Sequence, residues 1–146
     1  KSRWVKMFDL DERLRTDTVL VGELALNSVL LARDATYPWV ILVPRRSAIT
    51  EIHQLKPADR VLLMQESCVL AEVMMALYQP DKLNIAALGN QVPQLHMHHV
   101  ARFKTDPTWP RPVWGAAAST EYQLGVLNHR LADLRAALAP HGLGNP

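Results

Sequence analysis

The chain has 146 residues, of which 49% are apolar, and this suits a single domain over residues 1–146 with a sizeable core. The net charge is +2 and no long basic run is present, so binding to a nucleic-acid polymer is not expected. The single cysteine, Cys68, excludes an internal disulfide and indicates a reducing compartment, so we expect a cytoplasmic protein. No apolar run approaches the roughly 20 residues of a membrane span and no leader sequence stands out, so no membrane association is expected.

The first half of the chain predicts strands, which begin after one short helix. Residues 9–18 are interpreted as that helix, with Asp9 as its candidate cap. The Val- and Leu-rich segment 19–34 predicts two strand pieces, of which the second is SVLLA. After a short turn at residues 34–36, the β-branched run 37–46, YPWVILVPRR, predicts a third strand bounded by prolines.

A long helix is predicted next, from Pro57 in its first turn to Tyr78. Apolar side chains recur along it at helical spacing, and we expect this stripe, with its cysteine, to pack in the core. The members of the stripe are Val61, Leu62, Met64, Cys68, Ala71, Met75 and Tyr78.

The second half predicts a strand pair, a loop and a final helix. Strands over 82–88 and 94–103 flank a turn at Gly89-Asn90. The segment 105–115, rich in proline and tryptophan, predicts an irregular ordered loop, and 121–139 predicts an amphipathic C-terminal helix. Together the elements predict an α+β fold, in which a mostly antiparallel sheet of about five strands carries one long helix and the C-terminal helix.

Three of the six histidines lie within seven residues, QLHMHHV, on the second strand of that pair. Side chains alternate between the two faces of a strand, so Gln94, His96 and His98 are expected to share one face. His99 then falls on the other face, where we expect a hydrogen-bonded structural histidine.

The residues alone leave three interpretations of this polar row open. The first is a metal site, although zinc needs a third or fourth ligand and neither a cysteine pair nor an H-x-x-x-H accompanies the row. The second is a plain polar strand face without a function. The third is nucleophilic catalysis at phosphorus, in which an imidazole nitrogen attacks a phosphoryl centre while neighbouring donors hold its oxygens.

The stretch resembles the histidine triad (HIT) superfamily, whose signature is His-φ-His-φ-His-φ-φ on a strand. Around it, Asn84, Gly89, Gln91 and Val92 match the Asn, the Gly-containing turn, the Gln or Ser and the Val that family members carry. Upstream, WVILVPRR resembles the HxLVxPxxH strand of the family. The resemblance covers about residues 20–115 and implies a HIT-like fold and the homodimer that is usual in the family.

Two registers fit the signature. The preferred one follows the match at Gly89 and Val92, and it places Gln94 on the first triad position and His98 on the third. The other begins at His96 and loses the match at Val92, so we use the first.

In this register the resemblance implies a role for each residue. His96, in the middle, is the nucleophile that attacks the α-phosphorus of a nucleotide ester, anhydride or phosphoramidate, and water then hydrolyses the nucleotidyl-histidine. His98 donates to a phosphate oxygen, and Gln91 contacts the phosphates. Asn84 braces the site or its ligand, and Asp34 binds the ribose hydroxyls. No cofactor or metal is required for the covalent step, although Mg²⁺ is an expected aid with polyphosphate substrates.

Several positions depart from the family pattern. Gln94 replaces the first triad histidine, so it keeps a hydrogen bond to the substrate but cannot pass a proton at neutral pH. Pro38-Trp39 stands where Gly-His is frequent, Ser47 stands where a histidine is frequent, and the turn between Asp34 and Trp39 is short. Activity is therefore expected to be reduced rather than lost.

Two functions of different class remain open, and both have a nucleotide or dinucleotide as the small-molecule partner. The first is a nucleotide hydrolase or nucleotidyl transferase, and the second is a non-catalytic nucleotide-binding module of the same fold. A metal-dependent enzyme is a third interpretation. Trp109 and Trp114 have two possible roles: they line a base pocket, of this chain or of a dimer partner, or they pack against the domain.

Overall fold

A computed structural model describes residues 8–144. The fold is α+β, as predicted, with strands and helices close to the expected segments. The strands are β1 (Thr18–Glu23), β2 (Asn27–Ala32), β3 (Trp39–Pro44), β4 (Lys82–Ala86) and β5 (Met97–Arg102). The helices are α1 (Glu12–Asp17), α2 (Pro57–Tyr78) and α3 (Leu124–Leu138).

The five strands form one antiparallel sheet in the order β1-β2-β3-β5-β4. β5, which carries the histidines, pairs with β3 on one side and β4 on the other, so His98 lies opposite Ile41 and Ala86. At the far edge, the register of β1 shifts between Leu20 and Gly22, and a Cβ atom on Gly22 would lie 2.5 Å from the Gly144 carbonyl oxygen. Only glycine therefore lets the C-terminal segment approach β1 so closely.

The two faces of the sheet are buried in different ways. One face packs on α2 and α3 and forms the main core, which includes Leu31, Leu42 and Ala101. The other face carries Leu30 and Ile41 and packs against the N-terminal segment and α1. Because side chains alternate along β5, His99 points into the helix-covered face and His98 points to the opposite face.

The predicted phase of α2 is wrong, although its bounds are correct. Val61 and Met64 are each 59% exposed, and Cys68 is exposed rather than in the core. The inward face instead contains two polar residues, together with Leu63, Leu70, Val73 and Met74. Those polar residues are Glu66 and Ser67, and both have partners. Apolar residues lie on both sides of this helix, so periodicity alone did not indicate which side faces the sheet.

Glu66 shows why a carboxylate is tolerated on the buried side. Its oxygens accept hydrogen bonds from the backbone N–H groups of Leu26 and Asn27 and from the Asn27 side chain, at 3.0–3.1 Å. A buried carboxylate with several donors avoids most of the cost of lost hydration. Glu66 thus ties α2 to the β1–β2 connection.

Within residues 8–144, one helix, α2, is long and apolar enough to cross a membrane. Its most apolar 18-residue window has a mean hydropathy of 1.5. This differs from the expectation that no such run is present. A core helix passes the same test, and α2 packs on the sheet, so the observation is weak evidence for a membrane span.

Several boundaries also differ from the predicted ones. The cap of α1 is Asp11, whose side chain accepts from the Arg13 N–H at 2.8 Å, and not Asp9. β5 begins only at Met97, so Gln94 and His96 precede the strand. The C-terminal helix is shorter than predicted, since α3 covers Leu124–Leu138.

Candidate active site

A cleft of about 650 Å³ opens on the face of the sheet that α2 and α3 leave free. His96 and His98 line its floor, and Asp34 and Gln91 lie on its rim. Trp39 and Trp114 form an aromatic wall of the same cleft, together with Val113. The structure therefore brings together four of the six predicted site residues: Asp34, Gln91, His96 and His98.

His96 is held in a defined orientation just before β5. Its neighbours Leu95 and Met97 are buried in a separate apolar cluster, which anchors the backbone on both sides of the ring. The His96 Nδ1 atom lies 2.7 Å from the Gln94 backbone carbonyl oxygen. A carbonyl oxygen only accepts, so Nδ1 carries the proton and the neutral ring keeps its lone pair on Nε2. This tautomer is the one that a nucleophile needs.

His98 lies beside His96, with 4.8 Å between the ring centroids. Its Nδ1 atom accepts a hydrogen bond of 2.9 Å from the Trp39 indole N–H. Burial, and then the neighbouring His96 and His99, lower the pKa of His98 from 6.5 to about 3. The ring is therefore neutral at pH 7.

Asp34 lies in the cleft, but part of its carboxylate is used within the fold. Its Oδ1 atom accepts hydrogen bonds from the backbone N–H groups of Thr36, at 3.0 Å, and Thr120, at 3.1 Å. The first bond closes the short turn before β3, as is common for aspartate in turns. The second ties this turn to the segment that leads into α3.

Asn84 lies on the cleft side of β4 but does not line the cleft. Its Oδ1 atom accepts a hydrogen bond of 2.8 Å from the Arg102 guanidinium, which is 1% exposed. Arg102 also pairs with Asp106 at 2.8 Å, and this lowers the pKa of the Asp106 carboxyl to about 2. Asn84 therefore braces the start of the loop that follows β5, and this loop leads to Trp114.

The side chain of Gln94 has two hydrogen-bond partners within the fold. Its side-chain oxygen accepts from the Asp11 N–H at 2.8 Å, and its amide donates to the Asp9 carbonyl at 2.9 Å. Both ends of the amide thus bind the N-terminal segment that leads into α1. Gln94 precedes β5, but this N-terminal segment packs on the face of the sheet that His98 also faces. Gln94 does not line the cleft of His98; it lines a second cleft of about 460 Å³, which His96 and Arg60 share.

Three other residues in or beside the site have a weaker signal in the sequence: Trp39, Arg102 and Asp106. In the sequence, Trp39 stands out only as a departure from the family pattern, but it contacts His98 directly. Arg102 and Asp106 are spaced by four residues, and only the structure shows that they form a buried ion pair. Trp109 stacks on Arg102 instead of lining the cleft, while Trp114 is part of the cleft wall.

The described residues also show what is absent from the cleft. Within residues 8–144, no group of three or more His, Cys, Asp or Glu side chains is arranged to hold a metal ion. His99 does not contribute to the site, because it is fully buried and bonds Ser67 of α2 at 2.7 Å.

The fold and the cleft define a class of α+β proteins with paired histidines on the floor of a ligand cleft. Comparison with known proteins identifies the class: the HIT domain family model matches residues 13–105, so the chain belongs to the HIT family. Members of this family are generally nucleotide-binding proteins and nucleotide hydrolases or transferases.

Solved structures agree with this assignment. A histidine triad protein from Marinobacter aquaeolei is 48% identical, with a TM-score of 0.84 over 94% of this chain and 99% of that one. One from Bradyrhizobium japonicum is 41% identical, with a TM-score of 0.88 over 90% and 98%. One from Sinorhizobium meliloti is 39% identical, with a TM-score of 0.87 over 90% and 97%. No protein with a curated description matches the chain.

Proposed function

We propose that the protein is a nucleotide hydrolase or nucleotidyl transferase that acts at the α-phosphate through a covalent nucleotidyl-His96 intermediate. The substrates are nucleotide phosphoramidates, esters or dinucleoside polyphosphates. The observation that carries the proposal is the hydrogen bond from His96 Nδ1 to the Gln94 carbonyl, because it leaves the Nε2 lone pair free in a cleft large enough for a nucleotide.

In the first step, His96 Nε2 attacks the α-phosphorus, and a P–N bond forms as the bond to the leaving group breaks. The leaving group departs with the electron pair and takes up a proton, which solvent supplies. The ring becomes cationic, and the Gln94 carbonyl stabilises this charge through the Nδ1–H. His98 stands beside the reacting centre and donates to a nonbridging oxygen, where negative charge must be stabilised.

In the second step, water attacks the same phosphorus, and the P–N bond breaks. The electron pair returns to Nε2, so His96 is regenerated; the mononucleotide leaves with the oxygen of the water, and one proton of that water passes to solvent. In a transferase, another hydroxyl or phosphate takes the place of water. Neither step requires a metal, and Mg²⁺ would serve only to screen the charge of a polyphosphate leaving group.

The rim residues orient the nucleotide in this proposal. Asp34 binds a ribose hydroxyl with the carboxylate that also closes its turn, and Gln91, exposed on the loop after β4, contacts the phosphates. Asn84 acts from outside the cleft, through Arg102. Gln94 acts through its backbone carbonyl, whereas its side chain holds the N-terminal segment.

The test is to trap the intermediate. The protein is mixed with adenosine phosphoramidate or a dinucleoside polyphosphate labelled at the α-phosphate, and is quenched without acid, since phosphorus–nitrogen bonds are acid-labile. We expect a labelled protein that is absent in His96→Ala and retained in His129→Ala, a control histidine exposed on α3. Turnover without any labelled protein, or label retained in His96→Ala, would contradict the proposal.

A non-catalytic nucleotide-binding module is the second candidate, and Gln94 favours it. The side chain at the first triad position is used to bind the N-terminal segment, so it cannot relay a proton. Calorimetry would then show tight binding of a mononucleotide with no turnover of any of the substrates above. Activity that a chelator abolishes, with zinc bound in stoichiometric amount, would instead favour a metal-dependent enzyme.

The proposal includes a homodimer. Val61 and Met64 lie on an exposed apolar face of α2, and Ile85 is 47% exposed on β4, an edge strand of the sheet. A second copy of the chain would cover both surfaces, as is usual in the family. Light scattering should give twice the chain mass, and Val61→Arg should shift it to the monomer, whereas Val126→Arg, at a half-exposed valine on α3, should not. A monomer in the unsubstituted protein would overturn this part.

The proposed location is the cytoplasm. This rests on the single cysteine, Cys68, which is free and exposed on α2. An exposed thiol persists more readily in a reducing compartment.

A further inference from the structure

The two histidines on the cleft floor have opposite hydrogen-bond partners at the same ring atom. His96 Nδ1 faces a carbonyl oxygen, which only accepts, whereas His98 Nδ1 faces the Trp39 indole N–H, which only donates. The first contact places the proton of His96 on Nδ1. The second requires a lone pair on Nδ1 of His98, so the proton of its neutral ring is on Nε2. Adjacent rings of the same chemical type are thus set as one acceptor and one donor.

The contact between Trp39 and His98 follows from the register of the sheet. Trp39 begins β3 and lies opposite Val100, two residues beyond His98 on the same face of β5. Such diagonal neighbours on one face are within reach of long aromatic side chains. Because both residues are on strands, the position of the indole is fixed by the backbone ladder and not by a loop.

Aromatic packing restricts the His98 ring further. The His98 centroid lies 5.6 Å from that of Trp39 and 5.2 Å from that of Trp114, and both pairs are edge-to-face. Trp39 is in turn packed against Tyr37 and Trp114, at 6.4 and 6.0 Å. The ring can therefore turn over only if this cluster opens.

We propose that Trp39 is a positioning residue, which fixes His98 as the neutral Nε2–H donor to the phosphate oxygen of the substrate. This inference rests on the proposed function, and it adds the reason why His98 donates when His96 attacks. A histidine at position 39 would be able either to donate or to accept, whereas the indole leaves one tautomer. Tryptophan therefore specifies a single arrangement of the pair.

The direct test is nitrogen NMR of the imidazole rings in the full chain at pH 7, with the His98 signals assigned by comparison with His98→Gln. We expect a protonated Nε2 and an unprotonated, hydrogen-bonded Nδ1 on His98, and the reverse protonation on His96. In Trp39→Phe, which keeps an aromatic ring but removes the N–H, the His98 Nδ1 signal should move toward that of a free, unbonded nitrogen. A proton on His98 Nδ1 in the unsubstituted protein would overturn the inference, even if no variant were to fold.

Trp114→Phe is the matched control for this measurement. It makes the same change in the same aromatic wall, and the Trp114 indole N–H is buried without a hydrogen-bond partner within the described residues. The His98 Nδ1 signal should be displaced in Trp39→Phe and unmoved in Trp114→Phe. Equal displacement in the two variants would show that only packing is involved, and this would overturn the inference.

Kinetics adds a readout that a structural role alone would not change. Charge on the phosphate oxygens grows in the transition state, so Trp39→Phe should lower kcat about tenfold while KM changes less than about twofold. An unchanged kcat, or a loss confined to KM, would contradict the inference. If the unsubstituted protein forms no nucleotidyl adduct and has no turnover, the proposed function fails, and the NMR comparison still decides the role of Trp39.

Discussion

His98 and His99 are neighbours in β5, yet they belong to two different regions of the molecule. His98 points into the cleft and bonds Trp39, whereas His99 points toward the helices and bonds Ser67. Both are buried, and the pKa of each is well below 6.5, at about 3 and about 4. Burial and a perturbed pKa therefore do not distinguish a site residue from a core residue here. What distinguishes His98 from His99 is that His98 lines a cleft and lies beside His96.

The largest expected effect comes from the cleft side of this pair. His98→Ala removes the proposed donor to the phosphate oxygen and should lower kcat about 100- to 1,000-fold, as the loss of one such donor does in other enzymes. The free energy of unfolding should fall less than in His99→Ala, because His98 borders a cleft whereas His99 is fully buried. Steady-state kinetics and urea denaturation of the same sample test both statements. A variant with normal kcat would place His98 with His99 as a structural residue.

Lowering the pH should destabilise the protein through both histidines. Each has a pKa near 6.5 when unfolded and a lower one when folded, because burial disfavours the charged ring. Between these values the unfolded state binds more protons, so stability falls as the pH drops below 6.5. From pH 7 to pH 5 the free energy of unfolding should fall by about 2–4 kcal/mol.

Urea denaturation at the two pH values measures this change. In His99→Gln the slope with pH should be about half as steep, because one of the two groups is gone. Asp106, whose pKa is lowered to about 2, has no part in this window, since its contribution is lost only below about pH 4. Stability that is constant between pH 7 and pH 5 would contradict the depressed pKa values.

His99, on the helix side of the pair, should show the opposite pattern, in which stability falls and kcat is kept. His99→Ala leaves a cavity under α2 and removes the partner of the buried Ser67 hydroxyl, so it should cost about 2–4 kcal/mol of unfolding free energy. kcat per folded molecule should stay within about twofold at a temperature where the variant is folded. His129→Ala, an exposed position, should change neither quantity. A large fall in kcat at full folding would mean that the two faces are coupled.

The smallest effect concerns Gln94 and decides between its two interpretations. If its side chain only holds the N-terminal segment, Gln94→Ala should cost about 1 kcal/mol for two partly exposed hydrogen bonds. Faster amide hydrogen exchange over residues 9–17 would report the same loss, with KM and kcat within about threefold. A loss of activity comparable with that of His98→Ala would instead support the sequence interpretation, in which the amide holds the phosphate.

Most of the fold was predictable because its signals are local. The prolines and β-branched residues around β3 define that strand, and Pro57 marks the start of α2. The phase of α2 was not predictable, since Glu66 and Ser67 become acceptable in the interior only through partners on β2 and β5. Such partners are distant in the sequence.

The candidate site could be predicted only in part, because some of its contacts also join residues that are distant in the sequence. The triad stretch indicated His96 and His98, which the cleft brings together. Gln94 precedes β5 by three residues, and its amide binds the N-terminal segment, a contact that no local pattern in the sequence specifies. The contact of Trp39 with His98 depends on strand register, which no local pattern specifies.

In the proposed reaction, His96 and neither of its neighbours forms a bond to phosphorus. Rapid mixing with an adenosine phosphoramidate, a quench at neutral or basic pH and tandem mass spectrometry of the peptide with residues 94–103 would locate the nucleotidyl group. We predict one adduct, on His96, that decays at the rate of hydrolysis. An adduct on His98 or His99, or steady turnover with the peptide unmodified at every time point, would contradict the covalent role of His96.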